Sequence, residues 1–166
     1  MATRNVRPPT VEMPIGGNGY SWEMAEAATQ TFLTGALLVH SAGYAQESGA
    51  DPADGTVLGI SHGPGNNEAA AGTDKAGFSP FFPGTLIEAN LCSGAAGDHT
   101  LAQANVGTSY GMIKRTVSGL THWVIDSSET DSGDVIVRVV GLRDDIGDVN
   151  GRVFAVVKSA KCAFGG

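Results

Sequence analysis

The side chains able to do chemistry in this sequence are four histidines, two cysteines, several carboxylates and a glycine-rich loop, and their spacing withholds most of it. His40, His62, His99 and His122 form no H-x-x-x-H, H-x-H or H-E-x-x-H pair, the arrangements that set two imidazoles on one zinc ion. His122 precedes Trp123 inside an apolar run and reads as a packed or edge residue. A Ser-His-Asp triad needs an anchoring motif for its serine, and none is expected here. Cys92 and Cys162 have neither metal spacing nor a disulfide framework, so two buried thiols are expected.

The segment GISHGPGNNEAAAG, residues 59 to 72, has glycines to cradle a phosphate but lacks the lysine of a P-loop. No apolar helical period follows Gly65, so a dinucleotide-binding unit is excluded and a surface loop is expected. Two groups could offer Ca²⁺ its oxygen ligands: Asp126, Glu129, Asp131 and Asp134, and Asp144, Asp145, Asp148 and Asn150. Neither follows the D-x-[DN]-x-[DN]-G pattern. Solvated loop carboxylates are expected, and no metal, cofactor or catalytic residue is assigned. The stretch FSPFFPG carries Phe78, Phe81 and Phe82, half of the six phenylalanines in the chain. They either plug one end of a barrel or anchor a partner, because aromatic residues dominate interface hot spots.

These residues must be positioned by a chain of 166 residues, about one domain in length. Only 16% of residues are charged and 24 are glycine, a profile of a β protein with many turns or of a subunit that buries surface against neighbours. A net charge of −7, with no Lys or Arg between Pro8 and Asp74, argues against nucleic-acid binding, which needs clustered basic residues. No apolar run reaches the length of a membrane span. The first residues lack the apolar core of a secretory signal, so a soluble chain made in the cytoplasm is expected.

Residues 1–30 read as an extended N-terminal arm, because Pro8, Pro9 and Pro14 block helix and central strand and Gly16-Gly17-Asn18-Gly19 breaks the chain. A short helix is expected over residues 21–30, with Ser21 as N-cap. Residues 31–166 read as a β-rich body. Strands are expected at 31–40, 56–61, 83–91, 110–117, 120–126, 134–142 and 152–159, with loops at 41–55 and 62–82. Ser118-Gly119 marks a two-residue hairpin turn, and Asn150-Gly151 marks a second connection. Both faces of the last two strands are largely apolar, which predicts burial on two sides, by a second sheet or by a neighbouring subunit. The fold class is therefore mainly β: a small antiparallel β-barrel or β-sandwich with an extended N-terminal arm and long Gly-rich loops.

The run FLTGALLVHSAGYAQESGADPADGTVLGISHG resembles the small β modules of tailed-bacteriophage head decoration, or capsid cement, proteins. In these a strand ending in an apolar-Val pair leads through a variable loop to a V-L-G-I strand. The run SGLTHWVIDSSETDSGDVIVRVVGLRDDIGDVNGRVFAVV is similar to closing hairpins of phage virion proteins, and the likeness spans about residues 31 to 160. The resemblance implies a non-enzymatic virion protein on the capsid exterior that bridges major capsid proteins, often as a homotrimer. Its partner contacts would be Arg4, Arg7, Pro8 and Pro9 in the arm and Phe78, Phe81 and Phe82 in the loop. A carbohydrate- or receptor-binding β module, using Trp22, Trp123 or Tyr44 as a sugar platform, is the alternative.

Overall fold

A computed structural model describes residues 2–4, 6–12 and 21–164. Pro14 and the Gly16–Gly19 break lie outside the described residues. The chain is mainly β, as its composition implies. Its strands are β1 (Thr10–Glu12), β2 (Trp22–Ala25), β3 (Leu37–Ser41), β4 (Tyr44–Glu47), β5 (Val57–Ser61), β6 (Lys75–Pro80), β7 (Leu86–Cys92), β8 (Ser109–Val117), β9 (Leu120–Asp126), β10 (Val137–Leu142) and β11 (Arg152–Val157). Single 3₁₀ turns cover Gln103–Asn105 and Ser159–Lys161.

These strands make two sheets. The first runs β2-β6-β5-β3-β4. Its two outer strands meet at a bridge between Glu26 and Ala45, where the Ala27 N–H donates to the Ala45 carbonyl at 2.9 Å. The second runs β1-β7-β11-β10-β8-β9. In it β9 returns to lie parallel to β7, pairing Leu91 with Ile125 and Cys92 with Asp126. Five strands thus form a ring, and β1 lies outside it on Leu86–Glu88 of β7. The inner faces share one core, with Leu37, Leu58, Phe78 and Phe81 from the first side meeting Ile87, Met112, Ile125 and Val153 from the second. Each such side chain contributes roughly 1.5–3 kcal/mol by leaving water.

Local chemistry explains the connections. Ser118 and Gly119 take φ of +52° and +80° and pair Val117 with Leu120, the tight hairpin expected of them. Ala42-Gly43, at +49° and +90°, makes the same turn between β3 and β4 inside a stretch read as loop. The expected strand at 31–40 begins only at Leu37. Gly35 (φ +85°) turns the chain before it, and a Cβ there would lie 2.6 Å from Cβ of Pro8.

Two expectations are corrected. Residues 21–30 hold no helix: Trp22–Ala25 is a strand paired with Phe78, Gly77, Ala76 and Lys75, because cross-strand pairing outweighs a weak local helix propensity. The loop expected at 62–82 contains β6, whose alternation of Ala76, Phe78 and Pro80 inward is masked by its Gly and Pro. Among the described residues no second sheet covers the outer face of β10 and β11, which leaves a neighbouring subunit as the other cover that the pattern allows. Val137 and Val139 are buried, whereas Arg138 and Val140 are exposed, and a register shift between Val139 and Gly141 leaves Val140 without a partner across the strand.

Candidate functional site: an arginine-lined pocket and an aromatic patch

The loop between β10 and β11 organises one end of the molecule. It is not a tight hairpin turn but a nine-residue crossing, Arg143 to Gly151, with Asp148 and Asn150 buried. Asn150, at φ +53°, donates from Nδ2 to Asp98 Oδ1 (2.6 Å) and accepts at Oδ1 from the His99 N–H (3.0 Å). Its carbonyl accepts from Asn90 Nδ2 at 2.7 Å. The N-terminal segment lies along the same loop: the Val149 N–H donates to the Ala2 carbonyl (2.8 Å) and the Arg4 N–H to the Val149 carbonyl (2.9 Å).

Asp148 fixes this meeting. Its carboxylate accepts from the Ala2 N–H (3.1 Å) and from Arg4 Nε (2.7 Å), with Arg4 Nη2 at 2.6 Å. The Ala2 N–H bond first, and the Arg4 guanidinium after it, hold the Asp148 carboxyl below the usual carboxylate range, and Asp148 in turn raises Arg4. Asp98 is likewise lowered, by its bonds from Asn150 and Arg115. The group Asp144, Asp145, Asp148 and Asn150 is therefore no open cation loop, since Asp148 and Asn150 spend their oxygens on the chain itself.

Beside this loop lies a cavity of about 290 Å³ lined by Thr3, Arg4, Arg7, Glu88, Arg143, Asp144 and Arg152. Four of the six arginines in the chain gather there. They are not equivalent. Arg152 is held by Glu88 (Nη1 to Oε1, 2.8 Å) and donates to the Glu88 carbonyl at 3.2 Å. Arg4 is held by Asp148. Arg143 reaches Glu88 only at 3.8 Å and is 55% exposed. Arg7 forms no ion pair among the described residues; its backbone N–H donates to Asn90 Oδ1 at 2.9 Å. The pocket thus has a neutralised floor and two guanidinium groups left with charge to share.

A second surface is apolar. Trp22 of β2, Phe82 after β6 and Phe164 near the chain end converge, with ring centroids 4.7–5.9 Å apart and Trp22 edge-on to both partners. Phe78 lies beneath, parallel to Phe164 at 6.5 Å. Trp22 is 40% and Phe82 36% exposed. Phe78 and Phe81, by contrast, are fully buried, so two of the three expected aromatic contacts plug the core and Phe82 alone reaches the surface. Pro9 is buried and Pro8 half-buried against Gly35. Of the expected sugar platforms, Trp123 is only 2% exposed, with Nε1 donating to Glu47 at 3.1 Å.

The remaining chemical groups are placed apart. Gly107-Thr108-Ser109-Tyr110-Gly111 has the G-x-S-x-G spacing, contrary to the expectation of no such motif. Ser109 opens strand β8 instead of standing on a strand-to-helix elbow. His62 bonds Ser79 Oγ (2.7 Å) and Ser21 Oγ (3.1 Å), so a hydroxyl and not a carboxylate stands behind the imidazole. Asp126 accepts from the Gly94 and Ser128 N–H groups. Glu129 and Asp134 instead approach Asp51, their oxygens within 4.8 Å. The buried Lys161 ammonium is near, donating to the carbonyls of Pro52 and Gly133. Cys92 and Cys162 are free and buried, and burial pushes both thiols up to about 11. No helix among the described residues is long and apolar enough to cross a membrane.

No protein-family model matches the chain, and no curated protein or solved structure matches it significantly.

Proposed function

We propose that this chain is a virion structural protein of the tailed-phage head decoration class, which binds the outside of a capsid and stabilises the shell by bridging major capsid proteins. The observation that carries the reading is the surface trio of exposed Trp22 and Phe82 with half-buried Phe164. Three segments far apart in sequence hold the rings in place before any partner arrives, so little side-chain entropy remains to be lost on docking. Preorganised aromatic clusters of this kind supply most of the binding energy at protein interfaces. The decoration-like sequence runs add their support, as does the low charge content. Bridging neighbours adds buried area between capsomers, and self-association as a trimer belongs to the same reading.

Co-sedimentation with capsids tests it. The wild-type chain is expected to pellet with shells and raise their disruption temperature, and the Trp22→Ala/Phe82→Ala variant to lose about a hundredfold in affinity. Wild-type chain that stays in the supernatant at all shell concentrations overturns the reading. The carbohydrate-binding alternative keeps Trp22 as its exposed platform. Glycan-array binding by the isolated chain, with no capsid binding, selects it.

A further inference from the structure

We propose that the arginine-lined pocket is a carboxylate-binding site that receives an acidic segment of a protein partner. The inference rests on reading the chain as a partner-binding protein, and it adds the chemistry of the second contact.

Charge is the first ground. The chain carries −7 overall, yet Arg4, Arg7, Arg143 and Arg152 line one cavity against the carboxylates of Glu88 and Asp144. The four positive charges exceed the two carboxylates of the lining and Asp148, which faces Arg4, by about one unit. With Arg4 matched by Asp148 and Arg152 by Glu88, that surplus falls on Arg7 and Arg143.

Geometry is the second. Arg152 is fixed by its close pair with Glu88 and its bond to the Glu88 carbonyl through Nη1 and Nη2, while its buried Nε has no hydrogen-bond partner among the described residues. Arg143 has only a 3.8 Å contact and a side chain mostly in water. Arg7 is exposed but is tethered at its backbone to Asn90 of β7. Two planar guanidinium groups that line one cavity with donors to spare match the fork geometry of carboxylates.

The choice of occupant follows. A cavity of about 290 Å³ admits one or two acidic side chains, not a nucleic-acid backbone, whose repeated phosphates would meet the acidic remainder of the chain. A protein carboxylate comes from a Glu or Asp side chain or from a chain terminus, and the chemistry at the pocket is shared.

Calorimetric titration of the isolated chain at low salt separates these. The probes are a blocked triglutamate peptide, a neutral peptide with a free C-terminal carboxylate, and inorganic phosphate. Binding of either peptide is expected, weakening with added salt. Arg7→Ala/Arg143→Ala is expected to lose about tenfold affinity, and Arg7→Lys/Arg143→Lys to recover part of it, since charge returns without the fork. Both side chains are exposed, so the melting temperature should stay within about 2 °C. Triglutamate binding assigns a side-chain source and C-terminal binding a terminal one. Absence of peptide binding, equal affinity in the double-alanine variant, or tighter binding of phosphate overturns the proposal. Capsid sedimentation is a separate readout: shells bound by a chain that ignores all three probes sink the pocket and spare the cement reading.

Discussion

The two sheets close on themselves by different means. The five-stranded sheet closes through the isolated Glu26–Ala45 bridge, and at the other end of β2 Trp22 joins the aromatic trio. The six-stranded sheet closes through the β7–β9 ladder, and the loop before β11 is stitched by side-chain amides and ion pairs to the N-terminal segment. The first region relies on rings that any apolar neighbour can extend, the second on directional bonds that tolerate little change. One chain therefore carries two surface regions of opposite character, one apolar and one built on charge and directional bonds.

The sharpest way to break this comparison is through the glycine that each region depends on. Gly59 pairs with Pro80 in the five-stranded sheet, and a Cβ there would lie 1.9 Å from the Ser79 carbonyl oxygen. Backbone must move, so Gly59→Ala is expected to cost about 3 kcal/mol or more in urea denaturation. Gly151 in the polar loop would meet Leu101 Cδ1 at 2.5 Å and Cγ at 3.0 Å, side-chain atoms of a buried residue rather than backbone. Gly151→Ala is expected to cost less, and the reverse order would show that the polar loop is the stiffer region.

Next comes the amide at the centre of that loop. Asn150→Ala removes the bonds to Asp98 and His99 and leaves a Cβ at φ +53° without them. A loss of about 2–3 kcal/mol is expected. Asn150→Gly relieves the backbone and not the bonds, so comparing the two by chemical denaturation separates those contributions.

The smallest effect is electrostatic. Asp148 titrates below the ordinary carboxylate value in the folded chain because of the Ala2 N–H and Arg4. Its contribution is therefore present at neutral pH and lost as pH falls through that lowered value. Asp148→Asn is expected to lower the melting temperature at pH 7, with the gap to wild type narrowing below about pH 4. A gap that stays constant down to acid would mean that the loop holds by shape alone.

The β class, the Ser118-Gly119 turn and the strands β5, β7 and β11 were legible in the sequence because apolar alternation and turn residues agree there. Strands β2, β4 and β6 were not, since each is short and carries Gly, Pro or helix-favouring residues, and pairing across the sheet decides them. At the pocket, Arg4 and Arg7 stand out as the sole Lys or Arg residues before Lys75, but nothing local links them to Arg143 and Arg152. That link is made by register, β7 lying between β1 and β11. The aromatic trio was hidden for the same reason: Phe82 lies in a conspicuous stretch, Phe164 does not, and three separate segments must meet before either has a neighbour.

The shared strand β7 has a consequence for how the molecule comes into being. It takes partners from residues 10–12, from β9 and from β11, and Ala2 bonds to a residue 146 positions away. A nascent chain that has emerged only as far as β10 still lacks the strand that binds the longest stretch of β7. Ring closure must wait for β11 to leave the ribosome, and the chain belongs with non-local β topologies that fold over about milliseconds to seconds.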